Sequence, residues 1–191
     1  MNTILAKFLE GPPTFYIDGE QVNSLDLVIV EVKPMERTYW GRGHRVDKES
    51  KTYSPLCWSA DTTRPEPTSY KPQSTRCIDC PQNVQGSGSH NTKACKFSQR
   101  LTVAVPPFGA PFLFKVNGSS LFTQNQGGGF NLRNYTKHLE ENDEKLDSVL
   151  THAFFSSHGR GAVVFKPVRS LTEDEIEEVQ KLQHPPNELI N

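Results

Sequence analysis

Residues 77–81 read Cys-Ile-Asp-Cys-Pro, and this short stretch decides how the middle of the chain is organised. Two cysteines separated by two residues form a tight knuckle that can present both thiolates to one metal ion. Pro81 follows directly and prevents the knuckle from continuing as a helix. The chain has two further cysteines, Cys57 and Cys95, so the complete pattern is C-x19-C-x2-C-x14-C. Four cysteines are the number that one closed tetrahedral zinc site requires.

The segments between these cysteines favour a metal site. They are rich in Pro, Ser, Thr, Gly and Asn and contain few large aliphatic residues. Such segments cannot build a hydrophobic core of their own, and a bound metal would replace one. We therefore expect an insertion at residues 57–97 that holds one Zn²⁺ ion through Cys57, Cys77, Cys80 and Cys95.

Other uses of the cysteines stay open at this point. The four residues could form two disulfides or remain unlinked thiols, and His44 or His90 could replace one cysteine as a ligand. Disulfides are rare in the reducing cytosol. The opening sequence MNTILAKFLEGPP is too short and too mixed for a secretory signal peptide, so we expect a cytoplasmic protein.

Outside the cysteine segment, the dominant pattern is that of β-strands. Residues 25–32, LDLVIVEV, are rich in β-branched residues and partly alternate, as a strand does. Residues 33–56 are polar and aromatic and could form a long hairpin or a mobile arm. Further strands are predicted at 15–19, 100–105, 111–116, 146–155 and 162–168, and the Asn117-Gly118 pair predicts a turn.

Two helices complete the prediction. Residues 131–139 place Leu132, Tyr135 and Leu139 on one face, with Asn131 as the N-cap. An acidic helix at 170–184 begins at Ser170 or Thr172 and carries an apolar stripe of Leu171, Ile176, Val179 and Leu182.

The predicted fold is therefore mainly β (α+β). We expect one domain over residues 1–191, a small OB-like antiparallel β-barrel with two short helices and a zinc-binding loop insertion. Short strands separated by turns do not distinguish an OB-type barrel from other small barrels. The chain has 191 residues, and no apolar run in it approaches the length of a membrane span.

Charge is distributed unevenly along the chain, although the net charge is −1. Residues 33–100 contain 12 Lys and Arg against 6 Asp and Glu, whereas residues 170–191 contain 6 acidic residues and one Lys. Cationic side chains interleaved with aromatic rings are typical of proteins that bind single-stranded nucleic acid. The candidate contacts are Arg37, Tyr39, Trp40, Arg42, Arg45, Tyr53, Trp58, Lys71 and Arg76, any ring of which could instead be part of a core.

Sequence signatures of catalysis are missing from this chain. It lacks a phosphate-binding loop with its Lys, a G-x-S-x-G elbow and an H-E-x-x-H pair. A zinc ion with four thiolate ligands has no open position for a water molecule. We therefore expect a binding protein rather than an enzyme, with no small-molecule substrate.

An ordered series of residues resembles a family of zinc-containing proteins encoded by tailed bacteriophages. The series runs Cys57-Trp-Ser59, Asp61, Pro65, Cys77-x-x-Cys80-Pro81-x-Asn83, Gly86-Ser87-Gly88, Lys93-Ala-Cys95 and Arg100-Leu101. Phe130, Tyr135, Leu139 and the stretch from Val163 to Thr172 agree in order as well, so the resemblance covers roughly residues 55–182. Gln85 departs from it, because the resemblance implies an aromatic residue there.

This resemblance implies a single-stranded DNA-binding protein of phage DNA replication or recombination, acting in the cytoplasm of the infected bacterial host. Its partners would be single-stranded DNA and phage replication or recombination proteins. The alternative is a zinc-containing protein-interaction module that captures a host or phage polymerase or nuclease.

Overall fold

Eleven strands and three α-helices make up the part of the chain that the structure describes. The structure is a computed structural model, and it describes residues 2–7, 12–41, 45–46, 53–122, 128–157 and 161–183. The strands are β1 (Asn2–Lys7), β2 (Thr14–Ile17), β3 (Glu20–Val22), β4 (Ser24–Tyr39), β5 (Arg45–Val46), β6 (Tyr53–Ser54), β7 (Cys57–Ser59), β8 (Lys96–Ala104), β9 (Pro111–Asn117), β10 (Val149–Phe155) and β11 (Val163–Ser170). The helices are α1 (Gly118–Phe122), α2 (Leu132–Glu141) and α3 (Glu173–Gln183).

The chain divides into two compact units. Unit 1 combines Met1–Lys33 with Arg100–Asn191, and unit 2 is the continuous segment Pro34–Gln99. Unit 2 contains the predicted insertion 57–97 and, in addition, the preceding residues from Pro34 onward. Strands β4 and β8 contribute residues to both units.

Unit 1 is built on a mixed β-sheet. The strand order is β11-β10-β4-β8-β9-β1-β2-β3. The pairs β10–β11, β10–β4, β1–β2 and β2–β3 are antiparallel. Between β10 and β11, for example, Phe155 lies opposite Val163. Strand β1 is parallel to β9, with Thr3 opposite Leu113. The expectation of a wholly antiparallel sheet was therefore wrong at this pair.

The sheet of unit 1 is curled and open. Phe15 on β2 and Phe155 on β10 belong to strands near opposite ends of the strand order, yet their rings stack with centroids 4.3 Å apart. A flat sheet would hold these strands far apart, since neighbouring strands are spaced by about 4.8 Å. The curl confirms a mainly β, barrel-like fold with few helices.

Helix α2 follows the sequence prediction closely. The side chain of Asn131 accepts a hydrogen bond from the Asn134 N–H at 2.9 Å, which confirms the N-cap. Leu132, Tyr135 and Leu139 are buried. The hydroxyl of Tyr135 is 2.6 Å from Oγ1 of Thr151 on β10, so the helix is joined to the sheet by a buried hydrogen bond.

Helix α3 buries the predicted apolar stripe. Leu171 and Val179 belong to a core cluster with Val28, Ala104, Phe108 and Leu150, and Ile176 and Leu182 pack against that cluster. Thr172 is the cap: its Oγ1 accepts from the Glu175 N–H at 3.3 Å, and Glu175 accepts from the Thr172 N–H at 2.9 Å. This reciprocal pair is a capping box, which satisfies two backbone donors at the helix start.

Several elements differ from the sequence prediction. The short helix α1 begins at Gly118, where the Asn-Gly pair predicted a turn. Strand β4 continues past Val32 to Tyr39, and Arg45–Val46 pairs with Tyr53–Ser54, an arrangement that fits the hairpin interpretation of residues 33–56. Residues 42–44 and 47–52 lie outside the described part of this segment.

Candidate metal centre

Strand β7 places the first cysteine. Cys57 lies opposite Tyr39 in an antiparallel ladder with the end of β4, and Ser59 lies opposite Arg37. Successive residues of a strand point to opposite faces. Cys57 and Ser59 are accordingly buried, whereas Trp58 between them is half-buried. The strand therefore directs one thiol and one hydroxyl toward the same side.

The knuckle Cys77–Cys80 is closed by its own backbone and by one asparagine. The Cys80 N–H donates to the Cys77 carbonyl at 3.4 Å, and the Asn83 N–H donates to the Cys80 carbonyl at 2.9 Å. Buried Asn83 also donates from Nδ2 to the Cys77 carbonyl at 3.1 Å. Pro81 begins a short 3₁₀ turn, Pro81–Asn83, at a position where its missing N–H is not needed. Two thiols thus extend from one compact turn.

The loop after the knuckle returns the fourth cysteine. The Cys95 N–H donates to the Gln82 carbonyl at 2.8 Å, which holds Cys95 beside the turn that follows Cys80. Within the loop, the Gly88 N–H donates to the Thr92 carbonyl at 2.8 Å. A Cβ atom on Gly88 would lie 2.9 Å from the Lys93 carbonyl carbon, so this close approach requires glycine.

An acidic side chain orders the segment between β7 and the knuckle. Asp61 accepts hydrogen bonds from the hydroxyls of Thr63 at 2.6 Å and Ser59 at 3.2 Å, and from the Thr63 N–H at 2.9 Å. These hydrogen bonds, led by the one from the Thr63 hydroxyl, lower the pKa of Asp61. The Thr63 carbonyl accepts from the Cys77 N–H at 2.8 Å. The segment therefore positions the backbone of the knuckle.

The four thiols share one small pocket. Cys57, Cys77, Cys80 and Cys95 are each buried, are free of disulfide bonds and line this pocket. Burial raises the pKa of the Cys95 thiol to about 11, with the charge of Arg37 opposing that increase. Burial also raises the pKa of Cys77, opposed by a hydrogen bond from Ser59 and by the charge of Arg37. Without a metal ion, these two thiols keep their protons at neutral pH, and a metal ion that binds would have to displace those protons.

The donor set fits zinc by its chemistry. Four thiolates, a C-x2-C knuckle and a closed environment are the features of structural zinc sites. Among the described residues, however, no group of three or more Cys, His, Asp or Glu side chains is arranged so that it could hold a metal ion. The described histidine of the two considered as ligands, His90, is exposed and does not line the pocket. His44 lies outside the described residues.

Arg37 lies in the same pocket as the thiols. It is 8% exposed, and its guanidinium carbon lies 4.1 Å from the centroid of the Phe97 ring. Its Nε and Nη1 atoms are buried and have no hydrogen-bond partner in the described part of the chain. Sequence patterning gave no indication of this burial, because an arginine in a polar stretch is normally exposed.

The predicted nucleic-acid contacts differ in how far their side chains are exposed. Trp40 is 42% exposed, and Lys71 and Arg76 are exposed, with Arg76 Nε 3.1 Å from Asp79 Oδ2. Tyr39 and Trp58 are half-buried and line the thiol pocket. Arg42 and the side chains of Arg45 and Tyr53 lie outside the described part of the chain.

Tyr70, in the same run of rings and cations, is a further exposed ring beside these residues. It is 62% exposed, and the N–H of its neighbour Lys71 donates to the Leu56 carbonyl at 2.7 Å. The Leu56 N–H donates to the Tyr39 carbonyl at 2.9 Å, so three chain segments lie side by side. The pairing of an aromatic residue with a lysine at 70–71 is the sequence signal that points to it.

The charge asymmetry coincides with the division into units. Residues 34–99 contain 10 Lys and Arg and 6 Asp and Glu, a formal charge of +4, whereas the remaining residues contain 11 and 16, a formal charge of −5. The unit with the thiol pocket and the exposed rings is therefore the basic one.

Comparison with known proteins gives no relative from which a function could be transferred. No family model matches the chain, and no curated protein and no solved structure matches it. No helix in the described part is both long enough and apolar enough to cross a lipid bilayer. The chemistry of the described residues is therefore the basis for assigning a function.

Proposed function

We propose that the chain is a single-stranded DNA-binding protein of phage DNA replication or recombination, stabilised by one Zn²⁺ ion on Cys57, Cys77, Cys80 and Cys95. The observation that carries this proposal is the composition of unit 2. A formal charge of +4 is combined there with the exposed rings of Trp40 and Tyr70 and the exposed cations Lys71 and Arg76. Proteins hold single strands by such a combination of stacking rings and backbone-tracking cations.

The zinc ion would have a structural role. Cys57, the two knuckle cysteines and Cys95 would supply its four ligands, which leaves no open coordination position for chemistry. The bound metal would fix the segments that carry the exposed rings and cations. We accordingly interpret the protein as a binding protein and not an enzyme. We propose that it acts in the host cytoplasm and that its curled sheet is related to the OB fold.

A titration of fluorescent oligo(dT) across a salt series tests the DNA-binding proposal. We expect zinc-loaded protein to bind oligo(dT) more tightly than duplex of the same length, and to weaken steeply as salt rises, because counterions are released from the phosphates. Lys71→Met and Arg76→Met should each reduce the slope of log K against log salt by about 0.7, the value for one contact on a single strand. Equal affinity for duplex and single strand would contradict the proposal.

A protein-interaction module is the second candidate function, and one observation favours it. Ile78 within the knuckle and Val84 just after it are 65% and 59% exposed, although both side chains are apolar. Exposed apolar side chains on a metal module can be covered by a protein partner. Absence of oligo(dT) binding by zinc-loaded protein at low salt would favour capture of a polymerase or nuclease over DNA binding.

A further inference from the structure

Arg37 has a buried charge and buried N–H groups without acceptors, and each of these features destabilises a fold unless something compensates for it. Its guanidinium carries a full positive charge and is buried, and two of its nitrogen atoms have no hydrogen-bond partner among the residues that the structure describes. Burial of a charge is unfavourable unless an opposite charge and hydrogen bonds compensate for it. The ring of Phe97, at 4.1 Å, provides a cation–π contact but accepts no conventional hydrogen bond. An anion next to Arg37 would therefore compensate for its charge and accept hydrogen bonds from its unsatisfied N–H groups.

The pocket that Arg37 lines contains the four cysteines. Arg37 stands opposite Ser59 in the β4–β7 ladder, two residues along β7 from Cys57. The guanidinium and the four thiols therefore belong to one pocket, built from different segments of unit 2.

A zinc ion with four thiolate ligands is such an anion. The ion contributes two positive charges and the thiolates four negative charges, so the centre has a net charge of −2. An isolated dianion in a buried site requires hydrogen-bond donors and a counter-charge, and groups outside the ligand shell normally provide them. Hydrogen bonds from Arg37 to the thiolates would satisfy its N–H groups. Its positive charge would partly compensate for the negative charge of the metal centre.

We propose that Arg37 is a positioning residue of the metal centre: its Nε and Nη1 groups donate hydrogen bonds to cysteine thiolates and its charge reduces that of the centre from −2 to −1. This inference rests on the zinc site of the proposed function. It assigns Arg37, one of the candidate DNA contacts, to the metal rather than to a phosphate.

Metal titrations of four proteins test this assignment: the unmodified chain, Arg37→Met, Arg37→Lys and the control Arg64→Met. Arg64 is an exposed arginine of the same unit. We expect Arg37→Met to lower Zn²⁺ affinity by about 10–100-fold in competition with a chromophoric chelator, as loss of an outer-shell donor typically does. Arg37→Lys should recover part of that loss, since a lysine retains the charge without the planar donor pair. Arg64→Met should change nothing.

Co²⁺ substitution supplies a readout that a merely structural role would not change. Loss of N–H donors and positive charge raises the energy of the thiolate electrons, so the sulfur-to-Co²⁺ charge-transfer band of Arg37→Met should move to longer wavelength. An unchanged band together with unchanged Zn²⁺ affinity in Arg37→Met would overturn the inference. If that variant fails to fold, the same unchanged pair of values in Arg37→Lys overturns it.

The outcomes separate this inference from the proposed function. An unmodified chain that binds neither Zn²⁺ nor Co²⁺ refutes the metal site and the role of Arg37 together. A chain that binds both metals equally well with and without the Arg37 guanidinium refutes the role of Arg37 alone. At saturating Zn²⁺, a loss of about 0.7 in the salt slope of oligo(dT) binding by Arg37→Met would identify a phosphate contact and count against the proposal.

Discussion

The two units are stabilised by different kinds of interior. The buried hydrophobic residues of unit 1 number 26 in the described part of the chain, whereas those of unit 2 are Leu56 and the four cysteines. The other buried residues of unit 2 are polar: Glu36, Arg37, Ser59, Ser69, Asn83 and Ser98. Apolar burial provides the main driving force for folding, at about 25 cal/mol per Å². Unit 1 has that driving force, and unit 2 requires another source.

Removal of the proposed zinc ion should have the largest effect and should affect only unit 2. Structural zinc contributes about 10–16 kcal/mol of apparent binding free energy in small zinc peptides, which is folding free energy where no other core exists. We expect Cys77→Ser, or a strong chelator, to abolish hydrogen-exchange protection at residues 57–97. Amides of β10 and α2 serve as the internal control and should stay protected.

Two results would contradict this contrast between the units. Stoichiometric Zn²⁺ binding with unchanged affinity in Cys95→Ser would exclude the four-thiolate site. Loss of protection in α2 upon chelation would show that unit 1 also depends on the metal.

The converse experiment weakens the core of unit 1. Leu139 is 1% exposed on α2, and Leu139→Ala should reduce the free energy of unfolding of unit 1 by about 2–5 kcal/mol, as for other buried leucines. Zn²⁺ affinity should not change, because the residues of the proposed zinc site all belong to unit 2. Arg133→Ala, at an exposed position of the same helix, is the matched control for chemical denaturation. A parallel decrease in Zn²⁺ affinity in Leu139→Ala would show that the stability of unit 2 depends on the core of unit 1.

Exposed rings of the two units should differ in DNA binding. Trp40→Ala and Tyr70→Ala in unit 2 should each cost about 1–3 kcal/mol of oligo(dT) affinity, the range for one stacked base. Phe122 of unit 1 is 49% exposed and provides the control, since Phe122→Ala should leave the affinity unchanged. Fluorescence titration measures all three variants. A loss confined to Phe122→Ala would assign the DNA track to unit 1.

The smallest predicted effect is the acid sensitivity of helix α3. Arg169 donates two hydrogen bonds of 2.7 Å to Glu175, and these, with the Thr172 N–H, lower the pKa of Glu175 to about 2 from 4.5. A lowered pKa in the folded state gives stability that is fully present above pH 4.5 and is lost as the pH falls toward 2. Glu175→Gln should flatten the dependence of thermal stability on pH in that window. An unchanged slope would mean that the pair contributes nothing.

Local features were predictable because they depend on neighbours in the sequence. The cap at Asn131, the buried face of α2 and the stripe of α3 follow from periodicity and capping chemistry, and the structure confirms each of them. The C-x2-C spacing likewise predicted one compact turn, which the Asn83 hydrogen bonds close.

Long-range features were not predictable from the same patterns. The parallel pairing of β1 with β9 and the stacking of Phe15 on Phe155 join residues more than a hundred positions apart. Strand periodicity states which face is apolar but not which strand lies alongside. The burial of Arg37 depends on a pocket built from several separate segments, so a charged residue in a polar stretch gave no indication of it.

The order of the units along the chain bears on how the protein is made on the ribosome. Unit 2 is one uninterrupted segment, whereas unit 1 needs residues on both sides of it. Proteins are synthesised at about 5–20 residues per second, and segments fold as they become complete. Once residue 99 has left the exit tunnel, all four cysteines of the proposed zinc site are available to bind the metal. At that time β1 cannot yet pair with β9, because β9 is synthesised later. We therefore expect the metal supply in the cell to act on a nascent chain, before the hydrophobic unit has formed.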